Sequence, residues 1–159
     1  MGHGNTGDPA ADLEALKQLK ARYCRLLDNK DWTAWRQLFA DDFVSDTTGS
    51  GGSVIEGADE FVAFVQKTLG PLRRKTVHQV HAPEIALTSE ETATGIWALE
   101  DYVRFFPGVS MRGYGHYTET YVKVEGEWLF KTSRLTRLRG DIHTPVLSFS
   151  MPGWGVRPG

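Results

Sequence analysis

The sequence predicts a single α+β domain, with helices packed on one face of a curved, mainly antiparallel sheet. Three observations predict it. Apolar residues recur at helical spacing up to about residue 70, they alternate at strand spacing from residue 76 onward, and 159 residues suit one domain and fall short of two. A sheet with one apolar face needs a cover on that side, and the preceding helices are available to supply it.

The first helix starts at Asp8-Pro9 or at Asp12, because a carboxylate accepts hydrogen bonds from the free N–H groups of a first turn and proline is tolerated there. Leu13, Leu16, Leu19, Tyr23 and Leu26 form its apolar stripe, and Asp28 closes it. Asp31 caps a second, short helix whose aromatic face is Trp32, Trp35, Leu38 and Phe39, ended by Asp41-Asp42. Short strands at Phe43-Val44 and Val54-Ile55 flank a Gly/Ser/Thr loop over 47–53. A third helix opens at Gly57-Ala58-Asp59-Glu60, carries Phe61, Phe64, Val65 and Leu69, and stops at Gly70-Pro71. Strands follow over 76–87 (interrupted near Pro83), 92–106, 111–124 and 128–138, the last two joined by a turn at Glu125-Gly126. Gly113 and Gly115 lie within a strand and permit the sheet to bend. The domain proper spans 12–139, behind a flexible leader over 1–11. The Gly/Pro-rich tail over 140–159 carries Val146, Leu147, Phe149, Met151 and Trp154, too many apolar groups for a solvated segment, so it packs on its own domain or on a neighbouring subunit.

Composition removes several function classes. Charged residues are 24% of the chain and the net charge is −2, which argues against a nucleic-acid binder driven by phosphate neutralisation. The single cysteine, Cys24, forbids an internal disulfide and a multi-cysteine zinc site, and fits a reducing compartment. No run approaches the roughly 18 apolar residues of a membrane helix, and the N-terminus lacks a signal peptide's apolar core. A cytoplasmic protein without membrane or nucleic-acid partners is expected. Phosphate-loop, dinucleotide and His-Glu-x-x-His motifs are absent, and His78 with His81 makes a weak metal signal, so no metal is expected.

The candidates for chemistry are few. On the 92–106 strand, Ala93, Gly95, Trp97, Leu99, Asp101, Val103 and Phe105 share a face, and Asp101 is its one carboxylate. It is either the partner of a buried donor or the wall of a cavity. His78 and His81 have opposite parity, so one faces inward and the other outward; histidine is the side chain best suited to move protons near neutral pH. Arg134 and Arg137 also have opposite parity, and a bulge would decide which turns inward. Tyr23 and Asp28 stand roughly 140° apart on an ideal helix and border one cavity only if the helix frays at Asp28. Trp32, Trp97 and Tyr117 are the aromatic candidates for substrate contact.

The run Arg22-Tyr23-Cys24-Arg25-Leu26-Leu27-Asp28 followed by Asp31-Trp32, the run His81-Ala82-Pro83-Glu84-Ile85, the run Thr92 to Gly95 with Trp97, Leu99, Glu100 and Asp101, and Tyr117 to Tyr121 followed by Gly126-x-Trp128 together resemble the SnoaL-like branch of the nuclear transport factor 2-like superfamily. Within it the bile acid 7α-dehydratases are most similar, scytalone dehydratase and hexachlorocyclohexane dehydrochlorinase more distantly so. The resemblance covers roughly residues 12–139. It implies a cone-shaped α+β barrel enclosing a deep hydrophobic pocket, a homo-oligomer (a trimer first, a dimer second), and catalysis without metal or organic cofactor. It also implies that Tyr23, Asp28, His81, Asp101 and Arg137 carry the active-site roles, with His81 as general base, Asp28 or Asp101 orienting it, Tyr23 donating to an enolate-like oxygen and Arg137 anchoring a polar or anionic end of the substrate. The chain departs from the dehydratases at Ser45-Asp46-Thr47-Thr48, where they carry a further pocket tyrosine, and in its tail. The expected activity is a cofactor-independent lyase (a dehydratase) or isomerase acting on a small hydrophobic hydroxy or keto compound. The alternative is a non-catalytic binding or scaffold module of the same fold, which would have no need for ionisable groups in its pocket.

Overall fold

The structure, a computed structural model, describes residues 8–152. The order of elements is α1 (Pro9–Asn29), α2 (Trp32–Arg36), β1 (Phe39–Asp46), β2 (Val54–Glu56), α3 (Ala58–Leu69), β3 (Lys75–Leu87), β4 (Thr92–Phe106), β5 (Val109–Val124), β6 (Glu127–His143) and β7 (Ser148–Pro152), with one 3-10 turn at Thr48–Ser50. The seven strands form one open sheet in the order β2-β1-β6-β5-β4-β3, and β7 pairs with the far half of β6. All pairings are antiparallel except β1 with β6. The sheet is curved and mixed, with its helices packed on it, and it does not close into a barrel.

Asp8 starts α1 by accepting from Ala10 N–H, so residues 9–11, expected in the leader, are helical. Asp31 caps α2 by accepting from Ala34 N–H. That helix ends at Arg36, earlier than its aromatic spacing suggests. Phe39 instead opens β1 and pairs in parallel with Phe130, because the strand lets Phe39 and Phe43 reach a common core. There Trp35, Phe39, Phe43, Phe61 and Phe130 pack with ring centroids 4.6–5.6 Å apart. Burying a side chain of this size contributes about 2–3 kcal/mol, and the packing of the cluster outweighs the helical preference of a short segment. The tail adds β7 to its own domain, while Trp154 lies outside the described residues. Among the described residues no helix is long and apolar enough to cross a membrane.

Two bulges decide which side chains face the helices. In β3, Ala82 and Pro83 together stand opposite Trp97, and Ala82 takes a positive φ of 40°. The outer half of the strand pairs Ile85 with Gly95; carried on unbroken, that register would set His81 opposite the inward Leu99. The extra residue flips the parity, so that His78 lies opposite Asp101 and His81 opposite Ala98. In β6 the register slips at Lys131, so Trp128 and Phe130 before it and Ser133, Leu135 and Arg137 after it all face inward.

Candidate functional site

Between α1, α3 and the inward face of the sheet lies a cavity of about 290 Å3. Its wall is mostly apolar, built from residues such as Leu27, Phe61, Phe64, Val65 and Val103, with Tyr23, Tyr117, Ser45, His78, Asp101 and Arg137 as polar members. The last turn of α1 delivers Asp28 to the start of β3. Its carboxylate accepts from Thr76 Oγ1–H at 2.9 Å, from the backbone N–H of His78 at 2.8 Å and from His78 Nδ1 at 2.7 Å. An ionised carboxylate accepts only, so Nδ1 carries the proton of this contact. The imidazole side chain is 6% exposed, and it lines the cavity.

Opposite His78 on β4, Asp101 takes a bidentate pair from Arg137, Nη1 at 2.9 Å and Nη2 at 2.5 Å. Gly113 makes room for this pair: a Cβ there would fall 2.3 Å from Arg137 Nη1 and 2.4 Å from Asp101 Oδ1. Tyr23 and Tyr117 complete the polar wall with ring centroids 6.1 Å apart. Burial raises both phenols well above the usual tyrosine range, helped for Tyr23 by the nearby Glu119 charge and for Tyr117 by Tyr23, so both stay protonated donors. Behind them, Lys20 Nζ donates to Glu119 Oε1 at 2.5 Å, both side chains being fully buried. The same ammonium lies 3.7 Å from the centre of the Tyr117 ring and 4.5 Å from that of Tyr23. Glu119 also accepts from Tyr121 O–H at 2.6 Å and Ser133 O–H at 3.2 Å, and Tyr121 oxygen accepts from Trp97 Nε1–H at 2.8 Å.

The SnoaL-like domain family matches residues 8–134 of the chain. The chain belongs to that family. This SnoaL-like domain is 26% identical over 135 residues to a probable cyclase, FGR4, of Gibberella zeae, an alignment covering 77% of this chain and 89% of the relative. Among solved structures it is similar to a candidate scytalone dehydratase from Novosphingobium aromaticivorans, with TM-score 0.73 and 22% identity over 93% of this chain and 91% of that one. It is also similar to the hexachlorocyclohexane dehydrochlorinase LinA-type3 from Novosphingobium barchaimii, with TM-score 0.72 and 16% identity over 94% and 97% of the two chains.

The SnoaL-like domain brings four of the expected catalytic residues to one place: Tyr23, Asp101 and Arg137 line the cavity and Asp28 reaches it through His78. The fifth, His81, is exposed on the other face of β3, away from both carboxylates, because of the bulge that follows it. His78 takes the place expected of it. Of the three aromatic candidates only Tyr117 is on the cavity wall. Trp97 is buried in the Tyr121–Glu119 network, and Trp32 is half-buried against Trp35. Arg137 donates from both terminal nitrogens to Asp101, so its charge is matched within the wall. The buried Lys20–Glu119 pair has a signal in the sequence: Lys20 falls on the stripe of Leu16, Leu19 and Tyr23, and Glu119 between the inward Tyr117 and Tyr121.

Proposed function

We propose that this SnoaL-like domain is a lyase or isomerase of small, largely apolar hydroxy or keto compounds, in which His78, oriented by Asp28, moves a proton from carbon. The observation that carries this reading is the 2.7 Å contact between Asp28 and Nδ1 of an imidazole that lines the cavity. The carboxylate holds the ring in one tautomer and stabilises its cation, which leaves Nε2 to accept a proton. The electron pair of the broken C–H bond passes to a neighbouring carbonyl, giving an enolate, or expels a leaving group on the adjacent carbon. Tyr23 and Tyr117 donate hydrogen bonds to the oxygen on which the charge collects. The imidazolium then returns its proton to the departing oxygen in a dehydration, or to a different carbon in an isomerisation. The names of the similar proteins, a cyclase, a dehydratase and a dehydrochlorinase, support chemistry of this kind.

The test is exchange of carbon-bound hydrogen in heavy water. Bicyclic β-hydroxy ketones and their des-hydroxy ketones are incubated with the protein and followed by NMR for deuterium at the α carbon and for loss of water. Wild-type protein accelerates exchange with at least one member, and His78→Gln lowers that rate by roughly 10² or more, as loss of a general base does. His81→Gln leaves it unchanged. Equal exchange by wild type and His78→Gln removes the histidine from the mechanism.

A further inference from the structure

We infer that Lys30 and Thr76 are positioning residues for the Asp28–His78 pair: Thr76 fixes the orientation of the carboxylate, and Lys30 offsets its charge so that the imidazole is free to act as a base. This rests on the reading of His78 as the proton-moving group. Thr76 is buried on the inward face of β3, two residues before His78, and its hydroxyl donates to Asp28 Oδ1 at 2.9 Å. A hydroxyl has one hydrogen, and what commits it to Asp28 is Lys30, whose Nζ donates to the Thr76 hydroxyl oxygen, Oγ1, at 3.2 Å. The result is a directed chain, Lys30 to Thr76 to Asp28 to His78, running from the end of α1 to the cavity. Lys30 ends α1 in the left-handed region at φ 63°, a place that favours glycine, and there its N–H reaches Leu26 and Leu27 carbonyls while its side chain turns across to β3.

The charge arrangement gives Lys30 its second part. The groups around Asp28, His78 and Lys30 are Tyr23 and Cys24 from α1, Thr76 from β3 with Lys75 beside Lys30, Asp101 from β4, Tyr117 from β5 and Arg137 from β6. The phenols and the thiol keep their protons, Asp101 is matched by Arg137, and Lys75 is exposed. Lys30, half-buried and one hydroxyl away from the carboxylate, is therefore the cation that balances Asp28 while His78 is neutral. Without it the cation in contact with the Asp28 carboxylate is the imidazolium itself, and His78 is expected to hold its proton to higher pH.

NMR of the His78 ring tests this with no substrate. In Lys30→Met the titration midpoint of His78 rises by about half a pH unit, a threefold tighter hold on the proton, whereas Lys17→Met on the exposed face of α1 leaves it in place. In Thr76→Val the ring nitrogen shifts move toward a mixture of tautomers, and Thr76→Ser restores the wild-type pattern. A midpoint in Lys30→Met equal to that of Lys17→Met, or Thr76→Val shifts equal to those of wild type, overturns the proposal. If Thr76→Val fails to fold, the serine variant and Lys30→Met still decide it. The outcome is separate from the exchange assay: His78 can prove not to be the base while its ring responds as stated, and the reverse.

Discussion

Asp28 and Asp101 stand on either side of the cavity and differ in what they hold. Asp28 accepts from an imidazole, the type of side chain best suited to moving protons. Asp101 accepts from a guanidinium, a partner that stays charged at any pH the protein meets. The first pair holds an imidazole that lines the cavity; the second holds a guanidinium by both terminal nitrogens. A third pair, Lys20 with Glu119, lies behind both with no route to solvent. The gradation teaches that ionisable residues around one cavity are not equivalent evidence for catalysis. A pair whose partner can change its charge is a better candidate for proton transfer than a pair whose partner cannot.

The largest effect expected from this contrast is on stability, at the pair furthest from chemistry. Lys20→Met keeps the length of the side chain and leaves Glu119 charged and uncompensated, a loss of about 3–5 kcal/mol. For a domain of this size that lowers the melting temperature on the order of 10 °C. Lys20→Met with Glu119→Gln recovers most of the loss, because the amide still serves Tyr121 and Ser133. A double variant as unstable as the single one would show that the aromatic contacts of the ammonium, rather than the ion pair, do the stabilising. Asp101→Asn comes next, with a loss of about 1–3 kcal/mol, since Arg137 is 16% exposed and can turn toward water. Gly113→Ala, which alters no charge, should break the same pair by crowding both partners, and urea titration should place it near Asp101→Asn. If Gly113→Ala is neutral, the strand has room to shift and the glycine is not what closes the pair.

The sequence discloses the strands better than the side chains' facing. The 92–106 strand begins and ends where its alternation says it does, and Asp101 faces inward as the parity of its apolar neighbours requires. Tyr23, Tyr117 and Arg137 also arrive at the cavity. His81 does not, and the reason is local. Proline at 83 marks an interruption in the strand, but an interruption fixes the facing of residues before it only when the number of inserted residues is known. One residue more or less exchanges His78 for His81. The resemblance to the family rests on His81, and matching a motif by spacing carries no information about the bulge that turns it outward. Phe39 shows a different limit: three-and-four spacing continues through it, yet the aromatic core draws it into a strand.

The smallest effect belongs to the acids whose protons burial holds in place. Cys24 has its thiol pushed up to about 11 by burial, and Tyr23, Tyr117 and Tyr121 have phenols raised further, also by burial first. The sign follows from linkage. An acid whose folded value lies above its unfolded one holds its proton more tightly in the native state. Its contribution is complete below the unfolded value and is lost as pH rises from there toward the folded one. The ordinary thiol value is 9.0 and the ordinary phenol value 10.0, so the domain should lose stability from about pH 9 upward, first through Cys24 and then through the tyrosines. In urea titrations at pH 8, 9, 10 and 11, Cys24→Ala should flatten the fall between 9 and 10 and leave the steeper fall above 10. An equal slope from pH 9 to 10 in wild type and Cys24→Ala would mean that the thiol titrates alike in both states, and that α1 admits water at Cys24 well before the domain unfolds.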